Sequence, residues 1–192
     1  RNMGGISTAS LTTAMHNYNN DYAFKLIGNI AKAQMHMITN PFDNSVLQNR
    51  TDGYPRGRGH TRVDELLARG INVAIGHDSI MDPWYSMGRG SMIQAANLLM
   101  HMAHMNGSDQ IPELMDMITE NAAKLMQIDH YGLQEGNQAD ILVLDGKSAE
   151  EVIRLNSECL YVIRKGTVIC QTTPASRRLN NGKEQETVDF KI

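Results

Sequence analysis

Apolar and polar positions follow two rhythms over the first two thirds of the chain, short strand-like runs and longer stretches at helical spacing. Residues 6–11 (ISTASL) predict a strand, entered through a Gly4-Gly5 turn from what reads as the end of a helix. Over 22–33, Ala23, Leu26, Ile27, Ile30 and Ala31 recur at helical spacing and predict an amphipathic helix. Residues 35–39 (MHMIT) predict a second strand ending at Asn40-Pro41. The stretch onward to His60 reads as a loop, long for a compact domain and of the kind that forms functional lids. Thr61 is placed to cap a helix over 62–69 that buries Val63, Leu66 and Leu67 and stops at Gly70. A third strand over 72–75 completes strand, helix, strand, helix, strand, the alternation of a parallel sheet with crossover helices. Two long helices follow, over 91–105 and 112–126, the second opened by Pro112 and Glu113.

From Tyr131 the texture changes. Gly132 and Gly136 flank a turn, residues 139–144 (ADILVL) predict a strand, and residues 160–171 predict a hairpin about Lys165-Gly166. The expected organisation is therefore an α/β body over 1–130 and a small antiparallel β element over 131–192. Its tail over 173–186 reads as polar and loosely held, and 188–192 as a last strand.

Composition narrows the partners. The 192 residues are 41% hydrophobic with a net charge of −3, an ordinary globular balance without the basic field that nucleic acid requires. No apolar run approaches the roughly 20 residues of a membrane span, and no signal-peptide pattern opens the chain. Cys159 and Cys170 form no Cys-x-x-Cys pair and read as reduced core thiols of a cytoplasmic protein, with a cross-strand disulfide as the alternative. The chain starts at Arg1 in what reads as mid-unit, so it is expected to be the C-terminal part of a longer protein.

Three predicted parallel strands end in polar residues: Ser10, Asn40, and His77-Asp78-Ser79 in the segment INVAIGHDSIMDPW over 71–84. Barrel enzymes collect their chemistry at such strand ends, which makes Asp78 the best-placed acid; the alternative is an Asp that caps a turn. His101 and His104 lie three apart without a third ligand in a known spacing, and His36 alternates with Met35 and Met37 as a packed residue would. The 13 Met residues read as adaptable core filler. No Walker loop, Gly-x-Gly-x-x-Gly or Gly-x-Ser-x-Gly segment is present, so neither nucleotide cradling nor serine hydrolysis is indicated.

Five separated segments, ASLTTAMHNYN (9–19), NPFDNSVLQNR (40–50), TRVDELLARGINVAIGHDSIMDPWY (61–85), YGLQEGNQADILVL (131–144) and VIRKGTVI (162–169), together resemble bacterial cytosine deaminase of the amidohydrolase superfamily. The resemblance implies the C-terminal strand–helix units, about strands six to eight, of a (β/α)₈ TIM-type barrel, plus part of a small antiparallel β-sandwich. It implies hydrolytic deamination of cytosine or a related pyrimidine or cyclic amidine with one divalent metal ion, iron or zinc. Asp78 would be metal ligand and proton shuttle, the other ligands lying outside this chain, with Ser79 and Trp84 beside the pyrimidine ring. The implied partners are a small pyrimidine-like substrate and further copies of the same chain. Two departures stand out. Some family members carry a second Asp where this chain has Ser79, which suggests a roomier pocket for substituted pyrimidines. The family's sixth-strand His is replaced by Leu11, with His16 as a conceivable stand-in. The alternative function is accordingly a non-catalytic homologue or fragment that keeps the scaffold.

Overall fold

The computed structural model of the chain describes residues 3–57, 59–180, 185–187 and 191. It divides into two compact units, Arg1–Asp129 and His130–Ile192.

In the first unit, strands β1 (Thr8–Ser10), β2 (His36–Thr39) and β3 (Val73–Ile75) form a parallel sheet in the order β1-β2-β3. Ser10 lies opposite Ile38, and Thr39 opposite Ile75, so the three strands end along one edge. Each run is a residue or more shorter than its apolar pattern. The β1–β2 crossover is α1 (Asn20–Lys32), where the Asn19 side chain accepts the Tyr22 N–H at 2.9 Å and Ala23, Ile27 and Ile30 are buried at the predicted spacing.

The stretch read as a loop after β2 contains a helix, α2 (Pro41–Leu47), with Phe42, Asp43 and Asn44 buried. Pro41 opens it, since the first helical turn has no use for that N–H. Next comes α3 (Val63–Ala68), capped not by Thr61 but by Arg62, which provides no side-chain bond. The Thr61 hydroxyl instead meets that of Thr12 at 3.2 Å. Arg62 works further back along the chain: Nε donates to the Met15 carbonyl at 2.9 Å and Nη2 to that of Tyr18, with Nη1 on Asn20 and Glu65. One guanidinium fork thus ties α3 to the short 3-10 helix Thr13–Asn17 that follows β1.

After β3 come α4 (Met92–Met102), α5 (Gln110–Ile118) and α6 (Glu120–Leu125). The Ser91 hydroxyl caps α4 at 3.2 Å from Gln94 N. A single helix over 112–126 was expected; Thr119, at φ −125° and ψ −94°, breaks it in two. The start of β3 is pinned to α6, because Asn121 Nδ2 donates to the Val73 carbonyl and Asn72 Nδ2 to the Asn121 carbonyl, both at 3.0 Å. Met37, Leu66, Val73, Leu99, Leu114 and Met117 form the centre of the core. The methionines do not all serve it: Met81, Met87 and Met126 are exposed.

In the second unit β4 (Ile141–Leu144), β5 (Cys159–Arg164) and β6 (Thr167–Gln171) form an antiparallel sheet, with α7 (Ala149–Leu155) between β4 and β5. Lys165 and Gly166, at φ +49° and +76°, make the left-handed pair that a two-residue hairpin turn demands. Both cysteines are free; Cys159 is half-buried, but Cys170 is exposed and so is not a core thiol. The tail holds a short antiparallel pair, β7 (Arg178–Asn180) and β8 (Gln185–Thr187). The last strand expected over 188–192 lies outside the described residues, apart from Lys191. No helix among the described residues is long and apolar enough to cross a membrane.

Asp140 holds the hairpin turn against the entry to β4. Its Oδ1 accepts the Lys165 N–H at 2.8 Å, and its Oδ2 accepts from Gln138 at 2.7 Å and pairs with Arg164 at 2.9 Å. The Lys165 N–H foremost, helped by Gln138 and Arg164, holds the Asp140 carboxyl below the usual carboxylate value. A carboxyl depressed on folding stabilises fully above its unfolded pKa, and the stabilisation is lost as pH falls through the folded value. Asp140→Ala is therefore expected to lower the melting temperature of the full-length protein near neutral pH, the difference from wild type shrinking as the pH is taken below about 4; thermal unfolding across pH measures it.

Candidate active site

The edge where the three parallel strands end is tied together by Asn40. Its Nδ2 donates to Ser10 Oγ at 2.9 Å. Its Oδ1 lies over Gly76, so close that a Cβ on that residue would come within 2.1 Å of it. Ser10 and Asn40, two of the three polar strand ends, are thereby in contact, and the third strand runs on through Gly76 to His77, Asp78 and Ser79.

Asp78 is exposed and sits at φ +64°, a left-handed conformation that aspartate tolerates better than most residues. Two further acids stand near it. Asp43, on the first turn of α2, is 3% exposed; its Oδ2 accepts the Ser79 N–H at 3.3 Å and its Oδ1 is buried without a hydrogen-bond partner. Asp82 Oδ1 accepts the N–H groups of both Trp84 and Tyr85 at 2.9 Å, closing the turn that carries the tryptophan. Partial burial, followed by the negative charges of Asp43 and Asp82, raises the Asp78 carboxyl above its ordinary value. Asp82 moves the other way, lowered chiefly by the Tyr85 N–H with help from the Ser79 side chain and the Trp84 N–H.

Ser79 is half-buried, between Asp43 on its amide and Asp82 on its side chain. Trp84 is 70% exposed, its ring open to solvent beside the same loop. Leu11, immediately after β1, is 48% exposed at φ +55°. His16 is exposed on the 3-10 helix. The other histidines weighed as ligands are placed elsewhere: His36 is buried with Nε2 2.9 Å from the Gly5 carbonyl, and His101 bonds the Asn97 carbonyl of its own helix at 2.8 Å.

Among the described residues no group of three or more His, Cys, Asp or Glu side chains converges in a way that could hold a metal. The described residues by themselves do not build a metal centre. The donor set at the strand ends offers the single exposed carboxylate of Asp78, in surroundings whose surplus negative charge suits a cation.

Asp43 lies in a stretch whose Asn, Asp and Pro content reads as loop. The signal was present: Pro41 followed by an acid in the first turn, with Phe42 and Val46 four apart, is a helix start.

A parallel three-stranded edge with a carboxylate just beyond the last strand is the arrangement of α/β proteins that carry their chemistry on loops at the strand ends. The amidohydrolase family model matches residues 2–170, and the chain belongs to that family. It is similar to 5-methylcytosine deaminase from Klebsiella pneumoniae, solved with 5-fluorocytosine: 38% identical, TM-score 0.88, covering 92% of this chain and 43% of that one. Pterin deaminase of Rhizobium rhizogenes is 26% identical over 178 residues, 92% of this chain and 40% of that protein. N-isopropylammelide isopropyl amidohydrolase of Pseudomonas sp. (strain ADP) is 32% identical over 108 residues, 56% of this chain and 27% of that protein. The chain thus spans less than half the length of each of these three relatives.

Asn40 is the keystone of the edge, and Gly76 leaves it room. Gly76→Ala is expected to displace the carboxamide from Ser10 and destabilise the full-length protein by about 1–3 kcal/mol, as read by denaturant unfolding.

Proposed function

We propose that the whole protein is a metal-dependent hydrolytic deaminase of cytosine or a 5-substituted cytosine, and that this chain supplies its last barrel strands. In this reading 1–129 contributes strands six to eight of a (β/α)₈ barrel, consistent with a parallel sheet in which, among the described residues, β1 and β3 each have one strand neighbour. Residues 130–192 contribute part of a small β-sandwich, in keeping with exposed apolar side chains on β4 and β6, Leu142, Val168 and Ile169, that further strands would cover. The protein works in the cytoplasm on a small-molecule pyrimidine, as a homo-oligomer.

The observation that carries the proposal is Asp78, an exposed carboxylate at the end of the third parallel strand, within a chain that matches a 5-methylcytosine deaminase over 92% of its length. Asp78 is one ligand of a divalent metal, iron or zinc, whose remaining ligands come from outside this chain. A bound divalent metal makes the attacking water acidic enough to react near neutral pH. The Asp78 carboxylate takes the proton that the water sheds as its oxygen adds to the ring carbon. It passes that proton to the ring nitrogen of the C=N bond under attack and then carries the proton of the new hydroxyl to the exocyclic amine, which leaves as ammonia when the C–N bond breaks, so the ring keeps the oxygen as a carbonyl and a proton on its nitrogen. Ser79 leaves space at the ring's substituted edge, and Trp84 lies along the ring face.

Ammonia release from cytosine, 5-methylcytosine and 5-fluorocytosine by the metal-loaded full-length protein tests the reading. Asp78→Asn is expected to cut kcat by about 10²- to 10⁴-fold; bound metal without turnover of any pyrimidine sinks the proposal and leaves the non-catalytic homologue. Ser79→Asp is expected to lower kcat/KM for 5-methylcytosine relative to cytosine by about 10- to 200-fold, and an unchanged ratio would remove Ser79 from the pocket.

A further inference from the structure

The loop over 78–90 is built around one buried ring. His77 is 7% exposed, with its ring centroid 4.8 Å from that of Phe42, on which Tyr85 stacks at 5.7 Å. His77 Nδ1 lies 3.2 Å from the Ser79 carbonyl oxygen, and Nε2 accepts the Gly90 N–H at 3.3 Å. A carbonyl can only accept and an amide N–H can only donate, so the proton sits on Nδ1 and the lone pair on Nε2. Gly88, at φ +90°, passes so near that a Cβ there would meet His77 Cε1 at 2.6 Å and Tyr85 at 3.0 Å. The loop is held on this ring at both its ends.

Asp43 acts on the same peptide from a different element. Its Oδ2 takes the Ser79 N–H at 3.3 Å while His77 takes the Ser79 carbonyl. Both polar backbone groups of Ser79 are therefore engaged by buried side chains, one on α2 and one at the exit of β3. The residue just before this pinned peptide is Asp78, whose left-handed backbone has no secondary-structure ladder to hold it.

We propose that Asp43 and His77 are positioning residues that clamp the backbone N–H and carbonyl of Ser79 and thereby fix the left-handed turn that aims the Asp78 carboxylate. The kinetic consequence rests on the reading of Asp78 given above; the structural consequence rests on the hydrogen bonds alone. Neither side chain need touch substrate. An exposed carboxylate that must meet a reacting atom within hydrogen-bond reach loses about 10²-fold in rate for a misplacement of roughly 1 Å, and a loop free to turn at Ser79 would allow that.

Two measurements on the full-length protein test the clamp. The first is amide hydrogen exchange of the peptide covering 78–90. Asp43→Ala and His77→Ala should each raise its exchange about 10-fold or more while β3 and α2 keep their protection. The second is steady-state turnover of the preferred pyrimidine, where kcat should fall about 10- to 100-fold with KM little changed. Asn at either position restores part of the clamp: Asp43→Asn keeps an oxygen acceptor for the Ser79 N–H, and His77→Asn keeps an N–H donor near the place of Nδ1. Both Asn variants should recover most of the protection, and His77→Asn, which leaves the charges around Asp78 as they are, most of kcat. Asp43→Leu, near in size and lacking an acceptor, replaces the alanine variant if that one loses protection throughout α2. Unchanged loop exchange in the Ala and Leu variants overturns the proposal, as does loop protection that Asn at 43 does not recover or a kcat loss that Asn at 77 does not rescue. If the wild-type protein deaminates no pyrimidine, the proposed function fails, and loop exchange still decides the clamp by itself.

Discussion

Asn40 spans the ends of three strands with one carboxamide, touching Ser10 on one side and lying against Gly76 on the other. Parallel strands have no hairpins to align their ends; each is joined to the next only through a distant crossover. Side-chain bridges across the ends must therefore do what turns do in an antiparallel sheet. With Asn40 in place, Pro41 can begin α2 on the next residue, and the first turn of that helix delivers Asp43 to Ser79. Remove the bridge and the α2 acid loses its fixed distance from the loop after β3, so the geometry around Asp78 depends on a contact that involves Asp78 not at all.

Three carboxylates gather at this edge, and their surroundings separate them. Asp82 has its Oδ1 on the Trp84 and Tyr85 amides, and those hydrogen bonds favour its charged form. Asp43 is buried on the Ser79 amide. Asp78 is exposed, and partial burial of its carboxyl together with its two acidic neighbours raises it above its ordinary value, with His77 working the other way. That repulsion favours a positively charged ligand beside Asp78.

Much of this arrangement was legible as pattern. The three parallel strands, the α1 crossover and the Lys165-Gly166 hairpin all follow from apolar periodicity and turn chemistry, and the family resemblance carried by five segments agrees with the family model over 2–170. The misses share a cause, polar residues used for local hydrogen bonds rather than for loops. In α2, Asp43 and Asn44 are buried although their types suggested exposure. In α7, the Ser148 hydroxyl accepts the Glu151 N–H at 3.2 Å and Glu151 Oε2 accepts the Lys147 N–H at 2.7 Å, a near capping box written plainly as Ser-Ala-Glu-Glu. Thr61 shows the converse: a good capping residue drawn away by a partner 49 positions earlier, which no local pattern reveals. The break at Thr119 is similar, since Asn121 is committed to the Val73 carbonyl and α6 must turn to reach it.

Two of the left-handed residues lie at the same edge. Leu11 and Asp78, each just beyond a parallel strand, are both left-handed, at φ +55° and +64°. For Asp78 the cost is modest, because a short polar side chain tolerates that region, and the bonds on the Ser79 peptide offset it. Leu11 has no such excuse: its side chain is apolar, half in water, and unable to bond its own backbone. A left-handed leucine costs roughly 1–2 kcal/mol, so the conformation must be imposed by the chain around it. Thr13 N–H on the Leu11 carbonyl at 2.7 Å, the Thr12–Thr61 hydroxyl pair, and Thr13 Oγ1 on Gln48 at 3.0 Å supply that imposition. The turn after β1 is therefore shaped by its neighbours and not by the residue that occupies it, and it holds open a position that asparagine, aspartate or histidine would fill with less strain. The turn thus keeps its shape with an apolar side chain at position 11.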